Sequence, residues 1–147
     1  MHEDFMRKAI EIAREIPDAP FAALLVNRQT GRVVAEGRNR WRENPTWHGE
    51  MDAINRYAAE SGVADWPSLR LYTTAEPCCM CQGALIWAGI PELVYGTSIK
   101  TLQRLGWEQI DIAAHEVAQR WGGKAVRITG GVLEEECDAL FSKVRSK

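Results

Sequence analysis

The stretch WEQIDIAAHEVAQRW, residues 107–121, lies between two apolar segments at 93–97 and 125–129. Both flanking segments are short and rich enough in Val, Ile, Tyr and Thr to be strands. The residues between them recur at helical period, which predicts a crossover helix. A crossover makes the strands on either side of it parallel, whereas a tight hairpin would make them antiparallel. This one connection decides the second half of the sheet.

Working outward, residues 69–75 read as the preceding strand, and Pro77 opens a helix to about residue 88, proline being well suited to a first helical position. Further upstream, 21–26 is an apolar strand, 27–31 a turn and 32–39 a returning strand, which together predict a hairpin. Phe5, Ala9, Ile12, Ala13 and Ile16 fall at helical spacing before Pro17. Asn44-Pro45-Thr46 predicts the entry to a helix running to about residue 59. Residues 134–144 close the chain as a helix led by Glu134-Glu135-Glu136, acids that suit a helix N-terminus. The order α-β-β-α-β-α-β-α-β-α predicts an α/β fold. It is a three-layer α-β-α sandwich around a five-stranded mixed sheet, with the last two strands parallel, and one domain over 1–147.

Composition excludes several classes. Hydrophobic residues make up 46% and charged residues 26%, the balance of a soluble globular chain. No apolar run approaches the ~20 residues that span a bilayer, so no membrane partner is expected. Met1-His2-Glu3-Asp4 lacks the basic and apolar regions of a secretory signal, which places the protein in the cytoplasm. A net charge of −2 gives no overall push toward nucleic acid. Three of the four cysteines crowd into 78–81, where reduced thiols serve a metal better than a cramped disulfide.

His48-Gly49-Glu50 and, at a distance, Pro77-Cys78-Cys79-Met80-Cys81 carry the chemistry. One imidazole and two thiolates, from His48, Cys78 and Cys81, leave a tetrahedral Zn²⁺ with an open position, the mark of a catalytic rather than a structural site. Cys78 and Cys81 are three apart at a helix start, so their sulfurs share one face, and a helix N-terminus favours thiolates. Glu50 stands two residues after the histidine as a proton carrier. Cys79 points elsewhere at this spacing and reads as a small buried residue.

These motifs resemble the cytidine deaminase superfamily, and within it the branch of guanine deaminases and tRNA adenosine deaminases. The small cytidine deaminases carry Cys in place of His48 and a hairpin in place of the crossover. The resemblance runs from Pro20-Phe21-Ala22-Ala23 to the closing helix. It implies a Zn²⁺ cofactor and hydrolytic deamination, with Glu50 taking the water's proton, passing it to a ring nitrogen and then helping to protonate the departing ammonia. It further implies a homodimer, because the family commonly packs its pocket helices against a second subunit. Gly49 departs from the Ala usual between His and Glu.

Three residues are candidate substrate contacts. Asn39, in Gly37-Arg38-Asn39-Arg40, resembles the family segment whose Asn binds the base; the alternative is an Asn that ends a strand in a turn. Trp87, in Ala84-Leu85-Ile86-Trp87-Ala88, resembles a guanine deaminase stretch with a pocket Trp, or it packs in the core. Glu108, in Leu105-Gly106-Trp107-Glu108, resembles a pattern whose acid could accept from guanine's N1–H and 2-amino group, with Asp111 as the alternative and a solvated helix start as the plainer reading.

Arg38, Arg40 and Arg42 alternate around Asn39 and Trp41, and could form a phosphate-binding stripe if extended. Glu36 and Glu43 flank the run, which favours a solvated face, and the basic tail of tRNA deaminases is diluted here to Lys143, Arg145 and Lys147. The first reading is therefore a zinc aminohydrolase of a free nucleobase or similar heterocycle, with guanine leading. A tRNA wobble-adenosine deaminase is the alternative, and a cytosine or other pyrimidine deaminase a second. A deaminase-fold binding protein with a structural zinc is the reading outside enzymes.

Overall fold

The computed structural model describes residues 1–144, which leaves Arg145 and Lys147 of the basic tail outside the described residues. Its elements are α1 (His2–Arg14), β1 (Ala22–Asn27), β2 (Val33–Arg38), α2 (Gly49–Glu60), a short 3-10 turn, β3 (Leu69–Ala75), α3 (Cys79–Ala88), β4 (Glu92–Thr97), α4 (Ile99–Arg104), α5 (Ala114–Arg120), β5 (Arg127–Thr129) and α6 (Glu134–Val144). The five strands form one sheet in the order β2-β1-β3-β4-β5. β1 is antiparallel to both β2 and β3, whereas β3, β4 and β5 run parallel, as the crossover predicts.

Period-two alternation divides the apolar strands between two helical layers. Leu24 and Val26 of β1 face one core with Met6, Ala9, Ile10 and Ala13 of α1 and Cys137 of α6. Ala23 and Leu25 face the other with Ala53 and Tyr57 of α2, Leu85 of α3 and Ala114 of α5. The sandwich therefore has three layers, and α2 and α3 start side by side at one end of the strands.

Two helical expectations are corrected. The helix expected over 107–121 is reduced to α5, from Ala114 to Arg120, after a loop, and a further helix that was not expected, α4, precedes that loop. Ser98 caps α4 by accepting from the Thr101 N–H at 3.1 Å. Gly106 ends it in the left-handed conformation, φ 92°, and Trp107 N–H closes the end onto Leu102 O at 2.9 Å. Residues 107–113 are then free to leave the helix. The second helix begins at Gly49, not near Asn44: the Asn44 side chain caps a local turn, accepting from Thr46 N–H at 2.9 Å. The last strand is also shorter, three residues rather than five.

Close approach positions α2. A Cβ on Gly49 would lie 2.7 Å from the Phe21 carbonyl oxygen, and one on Gly37 would meet Gly49 O. Glycine at 49 thus serves the packing of a helix start against the β1 entrance, not unusual backbone angles.

Candidate active site

His48 is the N-cap of α2 and Cys78 the N-cap of α3, so the two helix starts bring their side chains together. His48 Nδ1 lies 3.5 Å from Cys78 Sγ and 3.5 Å from Cys81 Sγ. Tetrahedral Zn²⁺ with ordinary Zn–N and Zn–S bonds would set these atoms about 3.6 Å apart. The donor set therefore fits that ion, and all three ligand atoms lie within 4.8 Å of one another.

Electrostatics agree. Cys78 is pulled down to about 4, chiefly because Cys81 donates its thiol proton to it, with His48 adding to the effect. Cys81 is pushed up by the same bond and by burial. His48 is raised mainly by its hydrogen bond to Cys78. A cation bound by these three side chains would displace the protons they carry.

Glu50, in the first turn of α2, is 4% exposed. Burial pushes its carboxyl up to about 7, and the Cys78 thiolate adds to that. Thr73 Oγ1 donates to Glu50 Oε2 at 3.2 Å. A carboxyl poised near neutral beside a metal-ligand cluster can both take and return a proton.

Glu50, His48 and Cys78 open onto a cavity of about 200 Å³ lined also by Phe21, Asn39, Glu76, Trp107, Glu108 and Gln109. Asn39 lies at the end of β2, where its Oδ1 accepts from Trp41 N–H at 2.9 Å. It is thus both the turn residue and a cavity residue, with its NH₂ left to donate. Glu108 stands at the rim, on the loop released by the Gly106 turn. Asp111 takes Lys100 and Gln103 side chains at 3.4 and 3.3 Å and is not among the lining residues.

Trp87 lies apart from this cavity. It is 82% exposed and meets Trp121 at 5.8 Å between ring centroids, beside a separate cleft of about 540 Å³ with Ile86, Ile112 and Val117. Each arginine of the stripe has a carboxylate partner. Arg38 pairs with Glu15 at 2.9 Å, Arg40 with Asp52 at 3.1 Å and Arg42 with Asp18 at 3.0 Å. Asp52, 1% exposed, also accepts from Arg38 N–H, Trp47 Nε1 and Arg56 Nε, which pins the loop that delivers His48.

Sequence reasoning passed over Thr73, Glu76, Asp52 and Gln109. Thr73 meets Glu50, Glu76 meets Ile99 and Ala114, and Asp52 meets Arg38 and Arg40, all at 12 to 38 residues' distance. Gln109 is marked only by its place on the cavity wall. No local pattern therefore singles them out; an acid directly before Pro77-Cys78 was the one visible signal for Glu76.

Comparison with known proteins meets this geometry. Guanine deaminase of Bacillus subtilis is 33% identical over 113 residues, covering 73% of this chain and 71% of that protein. A tRNA-specific adenosine deaminase of Buchnera aphidicola is 33% identical over 150 residues, covering 97% and 88%. A mutant protein solved in complex with 8-azaguanine superposes with TM-score 0.87 at 25% identity, over 99% of this chain and 85% of that one. The model of the cytidine and deoxycytidylate deaminase zinc-binding region matches residues 1–97, a span that holds His48, Glu50, Cys78 and Cys81 together, and this chain belongs to that deaminase family.

Proposed function

We propose that the protein is a zinc-dependent aminohydrolase that removes an exocyclic amine from a free nucleobase, with guanine the leading substrate, and that the whole chain acts as one domain. The observation that carries this reading is the lining of the cavity. An amide donor at Asn39 and a carboxylate at Glu108 stand around a space of about 200 Å³ walled by Phe21 and Trp107. Glu108 offers acceptors that suit guanine's N1–H and 2-amino group, neither of which adenine has. The 8-azaguanine complex of a structural relative is consistent with a purine of this kind.

Zn²⁺ held by His48, Cys78 and Cys81 would supply an activated water near neutral pH. Glu50 takes the proton of the attacking water, with Thr73 fixing one of its oxygens. It passes that proton to the ring nitrogen, and the amino carbon becomes tetrahedral. Glu50 then takes the proton of the newly added hydroxyl and gives it to the amine, so that the C=O bond forms as the C–N bond breaks and ammonia leaves. Asn39 orients the base, and Phe21 and Trp107 exclude bulk water.

The pairing of Arg38, Arg40 and Arg42 with carboxylates weighs against the tRNA reading, since phosphate binding would have to break each pair. The exposed apolar cleft at Trp87, Trp121 and Ile112 supports the homodimer. No described helix is long and apolar enough to cross a membrane, and the unpaired cysteines support a reducing, cytoplasmic setting. Ammonia release from guanine, adenine, cytosine, their nucleosides and a tRNA anticodon stem-loop tests the assignment. Activity confined to the stem-loop would sink it, and light scattering that gives a monomer at micromolar concentration would remove the dimer.

A further inference from the structure

We propose that Glu76 is a positioning residue for substrate recognition, its single carboxylate setting the segment that holds Trp107, Glu108 and Gln109 over the cavity. The inference rests on the reading of that cavity as the substrate site. Glu76 follows β3 directly and stands two residues before the ligand Cys78. It is 7% exposed and lines the cavity. An acid in that place invites a catalytic role, yet both of its oxygens are committed to the backbone. Oε1 accepts from the Ile99 N–H at 2.9 Å, and Oε2 accepts from the Ala114 N–H at 2.8 Å.

Those donors are the first residues of α4 and α5, positions whose N–H groups find no partner in their own helices. Glu76 N–H donates in turn to Thr97 O at 2.7 Å, at the end of β4. One side chain therefore ties both ends of the 99–114 segment to the end of β3. Between the two anchors lie the Gly106 turn and the residues at the cavity wall. Since Cys78 follows the same strand end, the metal-ligand side and the recognition side of the cavity take their spacing from one point.

The chemistry explains why the residue is an acid. A carboxylate accepts at both oxygens, whereas an amide accepts at one and would turn its NH₂ toward the second N–H. Glu76→Gln should then release one anchor while leaving His48, Glu50, Cys78 and Cys81 in place. A residue that served folding alone would change the amount of active protein but not KM.

The test is Glu76→Gln in the zinc-loaded enzyme, read by steady-state kinetics, metal content and NMR-detected hydrogen exchange. We expect KM for the free base to rise about tenfold, the loss of one hydrogen bond to a charged group. The turnover number kcat should change less than about threefold and zinc content not at all. In the wild-type protein the Ile99 and Ala114 amides should exchange as slowly as ladder amides of β3, although both sit in first helical turns. In Glu76→Gln at least one should exchange rapidly. Rapid exchange of both amides in the wild type, or a Glu76→Gln enzyme with lower kcat and unchanged KM, would overturn the proposal. If the variant fails to fold, the wild-type exchange decides. Failure of the substrate reading would show separately, as no free-base turnover by the wild-type enzyme.

Discussion

Thr73 Oγ1 donates to Glu50 Oε2 at 3.2 Å while also lying 3.0 Å from the Ala75 carbonyl. A hydroxyl has one proton, so the two acceptors compete for it. The proton carrier is thus tied to the strand that leads to Cys78. Glu50→Gln keeps the shape and removes the base. Turnover should fall by about 10³ or more, with zinc content unchanged by metal analysis. Retained activity would mean that another group moves the proton.

The buried carboxyl of Glu50 also makes a pH prediction for the metal-free protein. Its folded value, about 7, lies above the unfolded 4.5. The folded state therefore holds the proton more tightly, and this stabilisation is complete below pH 4.5 and lost as pH rises through about 7. The loss is worth about 3 kcal/mol. Metal-free Glu50→Gln should lack it, and urea titrations should show the variant gaining on the wild type between pH 5 and 8. The difference between the two proteins is the quantity to read, because Cys78, depressed to about 4, acts with the opposite sign.

The loop before His48 separates two kinds of ion pair. Asp52 is buried and accepts from four donors, so Asp52→Ala should cost about 3 kcal/mol or more and weaken zinc retention. The Arg42–Asp18 pair sits on the surface, and Arg42→Ala should leave thermal stability and free-base turnover nearly unchanged. Comparable losses from both would contradict the assignment of Asp52 as the pin.

Gly49 yields a prediction against family habit. Ala at 49 would place its Cβ 2.7 Å from backbone at Phe21, which cannot yield as a flexible side chain can. Gly49→Ala should cost about 1–3 kcal/mol and move His48 and Glu50 together. Unchanged melting temperature and activity would show that the helix start has room to shift.

What was legible in the chain followed from local rules. The ligands His48, Cys78 and Cys81 share short motifs, and the strands show apolar runs that only a sheet buried on both faces requires. The side on which Trp87 falls was not legible. α3 reads CMCQGALIWA, apolar almost all round, so periodicity selects no inward face. α4 is six residues long, too short for a period, and its signal was the Ser98 cap. The clamps made by Glu76 and Asp52 depend on chain segments brought together only by the fold.

Ammonia release by the zinc-loaded protein, measured on guanine beside adenine, cytosine, their nucleosides and a tRNA anticodon stem-loop, tests the central claim most directly. The account predicts rapid turnover of guanine, insensitive to moderate salt and absent in Glu50→Gln. Conversion only of the stem-loop, falling steeply as salt is raised, would contradict it.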